Sequence, residues 1–351
     1  MSKNSLILFM LATAGGFLFY FLHLPLPWTL GPLVTAIVWK AVLKKTVYWP
    51  RKLRNMGLVV LGFMMGSPFT PSVAYQIVQQ LPVMLLTTSL LISLCLLTGY
   101  FAERFTRVGL ANSLIGSLPG GLSQMAVICE ETKGTTISVV TLMQTIRVIT
   151  VVFIVPLLAL HGIAGSVNPA AAKPLAAAMQ LNQLPLLALF LITILFLVKL
   201  GKRFGVSNIY VLAPVLGTAS LTLTGLHAPV LPPAIISLAQ IVVGIKMGLD
   251  VDFGSLPNWK TIALANLVCV LTVIAMLLGI SYVLSLVYPI SFVTAFISMA
   301  PGGMSEMALT ALATNADFPT VVAYQLFRLL FLLLACVPLT KWLIRKKFCQ
   351  A

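Results

Sequence analysis

Two stretches of the chain carry the residue types from which a polar site can be built inside apolar surroundings. They are Pro119-Gly120-Gly121-Leu122-Ser123-Gln124-Met125-Ala126 and Pro301-Gly302-Gly303-Met304-Ser305-Glu306-Met307-Ala308. Each interrupts an apolar run with the two residue types that most reliably stop a helix. Non-helical backbone at membrane depth survives only when it is buried in protein or lines a polar cavity. The freed amides and half-helix N-termini at such a break offer partial positive charge to a ligand. The candidate binding residues are therefore Pro119, Gly120, Gly121, Ser123 and Gln124 in the first copy, and Pro301, Gly302, Gly303, Ser305 and Glu306 in the second. A Pro-Gly kink that only eases packing is the plainer reading of either copy alone. The duplication, with Ser-Gln or Ser-Glu following at once, favours a site.

Each break is followed by an apolar helix with a Gln and an Arg three residues apart, Gln144 with Arg147 and Gln325 with Arg328. That spacing puts both polar groups on one helix face. A guanidinium near mid-membrane costs about 2.5–3.5 kcal/mol on insertion scales, so it must find partners. It either holds an anionic group or bonds to the carbonyls of the broken segments. Glu306 is the one acid embedded in an apolar run, and Lys246 reads as a third buried base. The two are candidates for an ion pair, and Glu306 is the candidate carrier of a coupling proton, because burial and a changing neighbour move a carboxylate pKa towards neutral.

Composition sets the surroundings. Sixty per cent of residues are hydrophobic and 8% charged, and the mean hydropathy is +1.06, which excludes an ordinary soluble domain. Apolar runs long enough to cross a bilayer recur from end to end, so an all-α polytopic membrane protein is expected, with the lipid bilayer as its solvent. The net charge of +15 comes from short basic clusters between apolar runs, a topology signal and not a nucleic-acid patch. Cys95, Cys129, Cys269, Cys336 and Cys349 lack metal-ligand spacing and read as inert packing. No metal cluster, nucleophile elbow, phosphate loop or nucleotide fingerprint is present, so neither enzyme chemistry nor a cofactor is expected.

The two Pro-Gly-Gly copies are offset by 301 − 119 = 182 residues. The same shift carries Leu30-Gly31-Pro32 onto Leu212-Ala213-Pro214, and Gly62, Met65 and Gly66 onto Gly244, Met247 and Gly248. With a one-residue slip, Gln144-Thr145-Ile146-Arg147 falls on Gln325-Leu326-Phe327-Arg328. The chain reads as a tandem duplication: a first repeat over 1–160, a linker over 161–182 and a second repeat over 183–351. Expected segments are 5–22, 28–44, 55–70, 81–102, a broken 109–130 and 135–160, then 183–200, 207–225, 233–249, 261–285, a broken 291–314 and 318–342. The first run reads as a retained helix and not a cleaved leader.

Loop charges set the expected orientation. The 40–54 loop carries Lys40, Lys44, Lys45, Arg51, Lys52 and Arg54, whereas its counterpart at 226–232 is uncharged. The loop with Lys199, Lys202 and Arg203 matches an uncharged one at 23–27. Under the positive-inside rule the repeats are inverted, with both termini cytoplasmic. Each repeat then has five spanning helices plus one re-entrant, broken-helix hairpin; full crossing by the broken segments is the alternative.

The repeated Pro-Gly-Gly turn, Asn315-Ala316-Asp317 after the second copy and the Gln-x-x-Arg helices resemble the AbrB family of bacterial integral membrane proteins. The resemblance covers essentially the whole chain and implies residence in the bacterial cytoplasmic membrane. Some members are labelled regulators of gene expression or ammonia monooxygenases; the second label meets no His/Cys/carboxylate cluster here. The layout is also similar to inverted-repeat secondary transporters, in which a hairpin-bearing domain moves across a fixed scaffold. The expected function is secondary transport of a small solute, with an anion favoured by the excess of buried bases and a proton or sodium ion as coupling ion. A membrane-embedded sensor or regulator without transport is the alternative, and a homodimer is one assembly to test. Cysteine-specific labelling from one side of the membrane checks the inversion: positions in 40–54 and in 226–232 are expected to label from opposite sides, and labelling from the same side would end that reading.

Overall fold

The computed structural model describes residues 3–24, 26–43, 47–120, 125, 129, 135–163, 183–206, 208–251 and 259–332. Among these the secondary structure is helical throughout, with thirteen α-helices. They are α1 (Lys3–Phe21), α2 (Pro27–Leu43), α3 (Arg51–Gly66), α4 (Pro71–Thr106), α5 (Leu110–Ser117), α6 (Ile137–Leu157), α7 (Leu184–Arg203), α8 (Ile209–Leu223), α9 (Pro233–Asp250), α10 (Trp259–Val287), α11 (Phe292–Met299), α12 (Met304–Ala313) and α13 (Phe318–Phe331). A π-helical stretch, Leu158–Ile163, continues α6. Most of the 161–182 linker lies outside the described residues.

Six helices are long and apolar enough to cross a membrane: α1, α4, α6, α7, α9 and α10. Large apolar side chains such as Phe17 and Leu18 on α1, Leu195 and Phe196 on α7, and Leu264 and Val268 on α10 are exposed. Contiguous apolar surface of that kind requires lipid against it. The protein is a multi-pass membrane protein.

One boundary differs from the sequence expectation. Residues 71–80, read as a loop, form the first turns of the 36-residue α4. Pro71 opens the helix where a missing N–H costs nothing. Pro82 sits inside α4, and a single Pro removes only one bond of a long membrane helix.

The chain packs as two compact units, each drawing on both halves of the sequence. Unit 1 is Met1–Gln79, Leu160–Val251 and Ala308–Pro319; unit 2 is Gln80–Ala159, Asp252–Met307 and Thr320–Ala351.

In unit 1, α1 packs on α2, α2 on α9, α9 on α3, α3 on α8 and α8 on α7. Glycines set the spacing. A methyl group on Gly62 would fall 2.9 Å from the Val211 carbonyl oxygen and 2.9 Å from Pro214 Cβ. On Gly244 it would fall 2.5 Å from the Thr29 carbonyl oxygen and 3.4 Å from Pro32 Cβ. Gly66 abuts Val215 and Thr218, and Gly248 abuts Leu33 and Ala36, again at backbone-contact distance. In every case both contact partners are displaced by 182 residues (244 − 62, 211 − 29, 214 − 32; 248 − 66, 215 − 33, 218 − 36). The helix ends follow suit: Lys40 Nζ donates to the Val251 carbonyl (2.6 Å), and Thr222 Oγ1 donates to the Phe69 carbonyl (2.9 Å). Such close helix–helix approach supplies the van der Waals contact that holds helices together where lipid is as apolar as the side chains.

In unit 2, α5 packs on α6, α6 on α10 and α10 on α11. Its apolar core joins Ile92 of α4, Ile115, Leu118, Met125, Cys129, Val140 and Leu332. Ser113 Oγ of α5 donates to the Gly99 carbonyl of α4 (2.6 Å), which ties those helices across a glycine.

The contacts in unit 1 give a stability prediction. Gly248→Ala is expected to lower the melting temperature in detergent, because overpacking against backbone costs about 1–3 kcal/mol. Gly279→Ala on α10, where nothing lies within 4 Å of the added carbon, is expected to leave it unchanged or raise it through helix propensity. Equal effects of the two would refute the close-contact account.

Candidate functional site

Helices α5 and α11 end in the same way. Leu118 (φ −63°, ψ 136°) and Ala300 (φ −57°, ψ 130°) are extended, as the residue before a proline is driven to be. The turn that follows is tight: the Gly120 amide donates to the Leu118 carbonyl (2.8 Å) and the Gly302 amide to the Ala300 carbonyl (2.9 Å). These two tip amides are therefore used inside the turn and do not face an open space, which corrects the expectation drawn from the broken helices. Once the helix stops, the orphans that need partners are the last carbonyls.

Two side chains meet that need, twice. Gln144 Nε2 faces the carbonyls of Ile115 (3.2 Å), Gly116 (3.0 Å) and Leu118 (2.9 Å). Gln325 Nε2 faces those of Ile297 (3.0 Å), Ser298 (3.2 Å) and Ala300 (3.2 Å). Two amide hydrogens are thus shared among three acceptors in each set. Arg147 donates through Nη1 to Leu118 and through Nη2 to Gly120 (3.0 Å); Arg328 donates in the same way to Ala300 and Gly302 (2.9 Å). A cation against the C-terminal carbonyls also complements the negative end of the helix dipole. The acceptors differ by 182 (297 − 115, 298 − 116, 300 − 118, 302 − 120) and the donors by 181 (325 − 144, 328 − 147).

The tips match in packing as well. A Cβ on Gly120 would fall 2.0 Å from Met125 Cε, and one on Gly302 2.7 Å from Met307 Cε. Pro119 and Pro301 are buried. On the second copy, Gly303 leaves the space in which the Glu306 carboxylate folds back: a Cβ there would lie 1.8 Å from Glu306 Oε2. Glu306, buried in the first turn of α12, is placed as the positive end of a helix dipole favours, and Ser305 Oγ donates to its Oε1 (3.1 Å). Gly121, Ser123 and Gln124 lie outside the described residues.

Lys246 is not a buried base. Its side chain is 24% exposed and pairs with Asp250 one turn further along α9, the (i, i+4) arrangement of an ordinary helix-surface pair.

The centres differ in one respect. Arg328 Nη2 also donates to Gln325 Oε1, closing the second set on itself. In the first set Gln144 Oε1 and Arg147 Nε, both fully buried, have no partner among the described residues. Arg147 lines a small cavity with Ser117 and with Pro301, the tip residue of the other broken segment. Cys95 and Thr98 of α4 and Asn266 and Cys269 of α10 complete its polar and thiol lining. About 10 Å³ is open to the centre of a water molecule, room for about one. Asn266 Nδ2 donates to the Met143 carbonyl (2.6 Å) and Cys269 Sγ to the Thr98 carbonyl (3.4 Å). The structure therefore brings Arg147 and Pro301 together. It adds Asn266, whose signal was an amide within an otherwise apolar helix, and two cysteines that the sequence presents as inert.

Comparison with known proteins places this geometry. The family model described as "Transition state regulatory protein AbrB" matches residues 28–344, a span that includes both breaks and both Gln-x-x-Arg helices. The chain belongs to the AbrB family. "Uncharacterized protein YhjN" of Bacillus subtilis (strain 168) is 26% identical over 355 residues, covering 93% of this chain and 90% of its own. "Putative regulator AbrB" of Escherichia coli (strain K12) is 26% identical over 319 residues, covering 90% and 89%.

Gln144→Leu and Gln325→Leu are each expected to destabilise the protein by about 1–3 kcal/mol, since each leaves buried carbonyls without their donor. Melting temperatures in detergent check this, and a neutral effect at either position would show that the amide is not what satisfies the helix end.

Proposed function

We propose that this AbrB-family protein is a secondary transporter of a small solute, an anion being favoured, which binds at the paired Pro-Gly-Gly tips and is carried by alternating access. In this reading the two halves are inverted repeats and each broken segment is a re-entrant hairpin. The repeat is supported by the reciprocal contacts of unit 1, where Gly62 meets Pro214 as Gly244 meets Pro32; exchange of both partners between equivalent positions is the mark of a two-fold relation. The loop charges supply the inversion. Interrupted helices in inverted repeats are a recurrent way to build a transport site.

The observation that carries the reading is the polar interior of unit 2, where Arg147 keeps a buried donor in reserve beside a cavity. Two buried guanidinium groups stand against one buried carboxylate, Glu306, and neither is paired with a carboxylate among the described residues. The helix-end carbonyls account for the presence of both guanidinium groups, and Arg147 still has a buried Nε without an acceptor among the described residues. Pro301 of the second break lines one cavity with Arg147 and with Ser117, the last residue of the helix before the first break. Glu306 is assigned the coupling proton, and enzyme chemistry has no part in the mechanism.

The name of the Escherichia coli relative favours a regulator that binds a ligand without moving it. Flux separates the two. A thermal-shift screen of the purified protein against small organic acids and salts finds a stabilising solute, and proteoliposomes then test its uptake under a pH gradient. Saturable binding without flux under any ion gradient would defeat the transporter reading. With flux in hand, Glu306→Gln is expected to abolish pH-driven uptake and leave solute exchange intact; unchanged pH dependence would remove Glu306 from coupling.

A further inference from the structure

We propose that the cavity beside Arg147 is a site for a small monovalent anion, of halide to formate size, and that the two arginine centres divide their work: Arg147 binds the anion while Arg328 only holds its helix end. The inference rests on the reading of unit 2 as the solute-binding body and names the chemistry of that solute.

Four observations lead to it. Arg147 lines the cavity and Arg328 does not. Arg147 Nε, a buried donor, has no acceptor among the described residues, and an unsatisfied buried donor of a charged group costs more than a neutral one. The second centre is closed by the Arg328–Gln325 bond, which the first lacks. The remaining lining is Ser117, Thr98, Asn266 and the thiols of Cys95 and Cys269 together with the apolar Val270, Val273 and Pro301, with no carboxylate among the described residues. Ser117 and Cys269 give their hydrogens to backbone carbonyls, which leaves Arg147 Nε, the second amide hydrogen of Asn266 and the Cys95 thiol as donors towards an anion, whereas a cation would meet the guanidinium charge.

Size sets the class. With room for about one water, the cavity takes a halide or one carboxylate oxygen of a one-carbon acid, and a bulky polyhydroxy acid cannot enter. A monovalent charge matches the surplus of one buried base among the described residues: two guanidinium groups, Arg147 and Arg328, against Glu306.

The thiols make the site readable without any transport assay. The purified full-length protein in lipid nanodiscs is alkylated with iodoacetamide, and modification of each cysteine is followed by peptide mass spectrometry. The probes are sodium chloride, sodium formate and, as the bulky anion, sodium gluconate at equal ionic strength. At ten times the dissociation constant, chloride or formate is expected to slow alkylation of Cys269 roughly elevenfold relative to gluconate. Cys129, which packs in the apolar core around Ile115, is expected to keep its rate. Val270→Phe, which fills the cavity from α10, is expected to remove the anion effect even if Arg147 variants fail to fold. Equal rates at Cys269 in all three salts would overturn the proposal, as would equal slowing of Cys129, which would mean general stabilisation. Flux of some other solute without protection would sink the anion site and leave the transporter reading standing. Protection without flux would do the reverse.

Discussion

Everything in unit 2 depends on one constraint: a helix stopped inside an apolar medium leaves carbonyls that water cannot reach. Each such group costs several kcal/mol if left alone. A guanidinium buried on a neighbouring helix has the opposite problem, an excess of donors. At Leu118 and Gly120, and again at Ala300 and Gly302, each cancels the other's cost. Gln144 and Gln325, one turn earlier on the same face, extend the repair into the last helical turn. Proline makes the break, and glycine lets a methionine close over it.

Unit 1 solves a different problem with different residues. It has no broken helix in need of cations, and its cohesion comes from backbone approach at Gly62, Gly66, Gly244 and Gly248. Polar ties are confined to helix ends, where Lys40 and Thr222 take up terminal carbonyls. Glycine packing gives a body with little freedom to rearrange, since a methyl group's worth of space is absent along its seams.

Much of this was legible in the sequence, for definite reasons. Hydropathy located the helices because lipid tolerates only long apolar runs, and the (i, i+3) spacing put Gln144 with Arg147 on one face. The start of α4 lies earlier than expected, because residues 71–80, read as an uncharged loop, continue as helix through Pro82. The polarity of the breaks was half legible: bonds from the arginines to the carbonyls of the broken segments were one of two expectations and are present, whereas the Gly120 and Gly302 amides, expected to be open, are used inside the turn. Lys246 looked buried because its run is apolar, although Asp250 four residues on was available to pair with it. The cavity was out of reach: Cys95, Arg147, Cys269 and Pro301 come from four separate segments, and nothing in their local patterns joins them.

The two centres are most informative where they part. A bond set shared atom for atom over Gln, Arg and four backbone positions points to a common structural task, the termination of a helix. A ligand would not be expected to need the identical arrangement twice. The difference lies in what is left over: Gln325 Oε1 is consumed by Arg328, whereas Gln144 Oε1 and Arg147 Nε have no partner among the described residues, and the cavity is lined by Arg147 and not by Arg328. A buried guanidinium that has met its structural obligation and still holds a donor in reserve is poised for something besides the fold. Structural duty accounts for the existence of both arginines. The reserve on one of them locates chemistry that the duplication alone would not reveal.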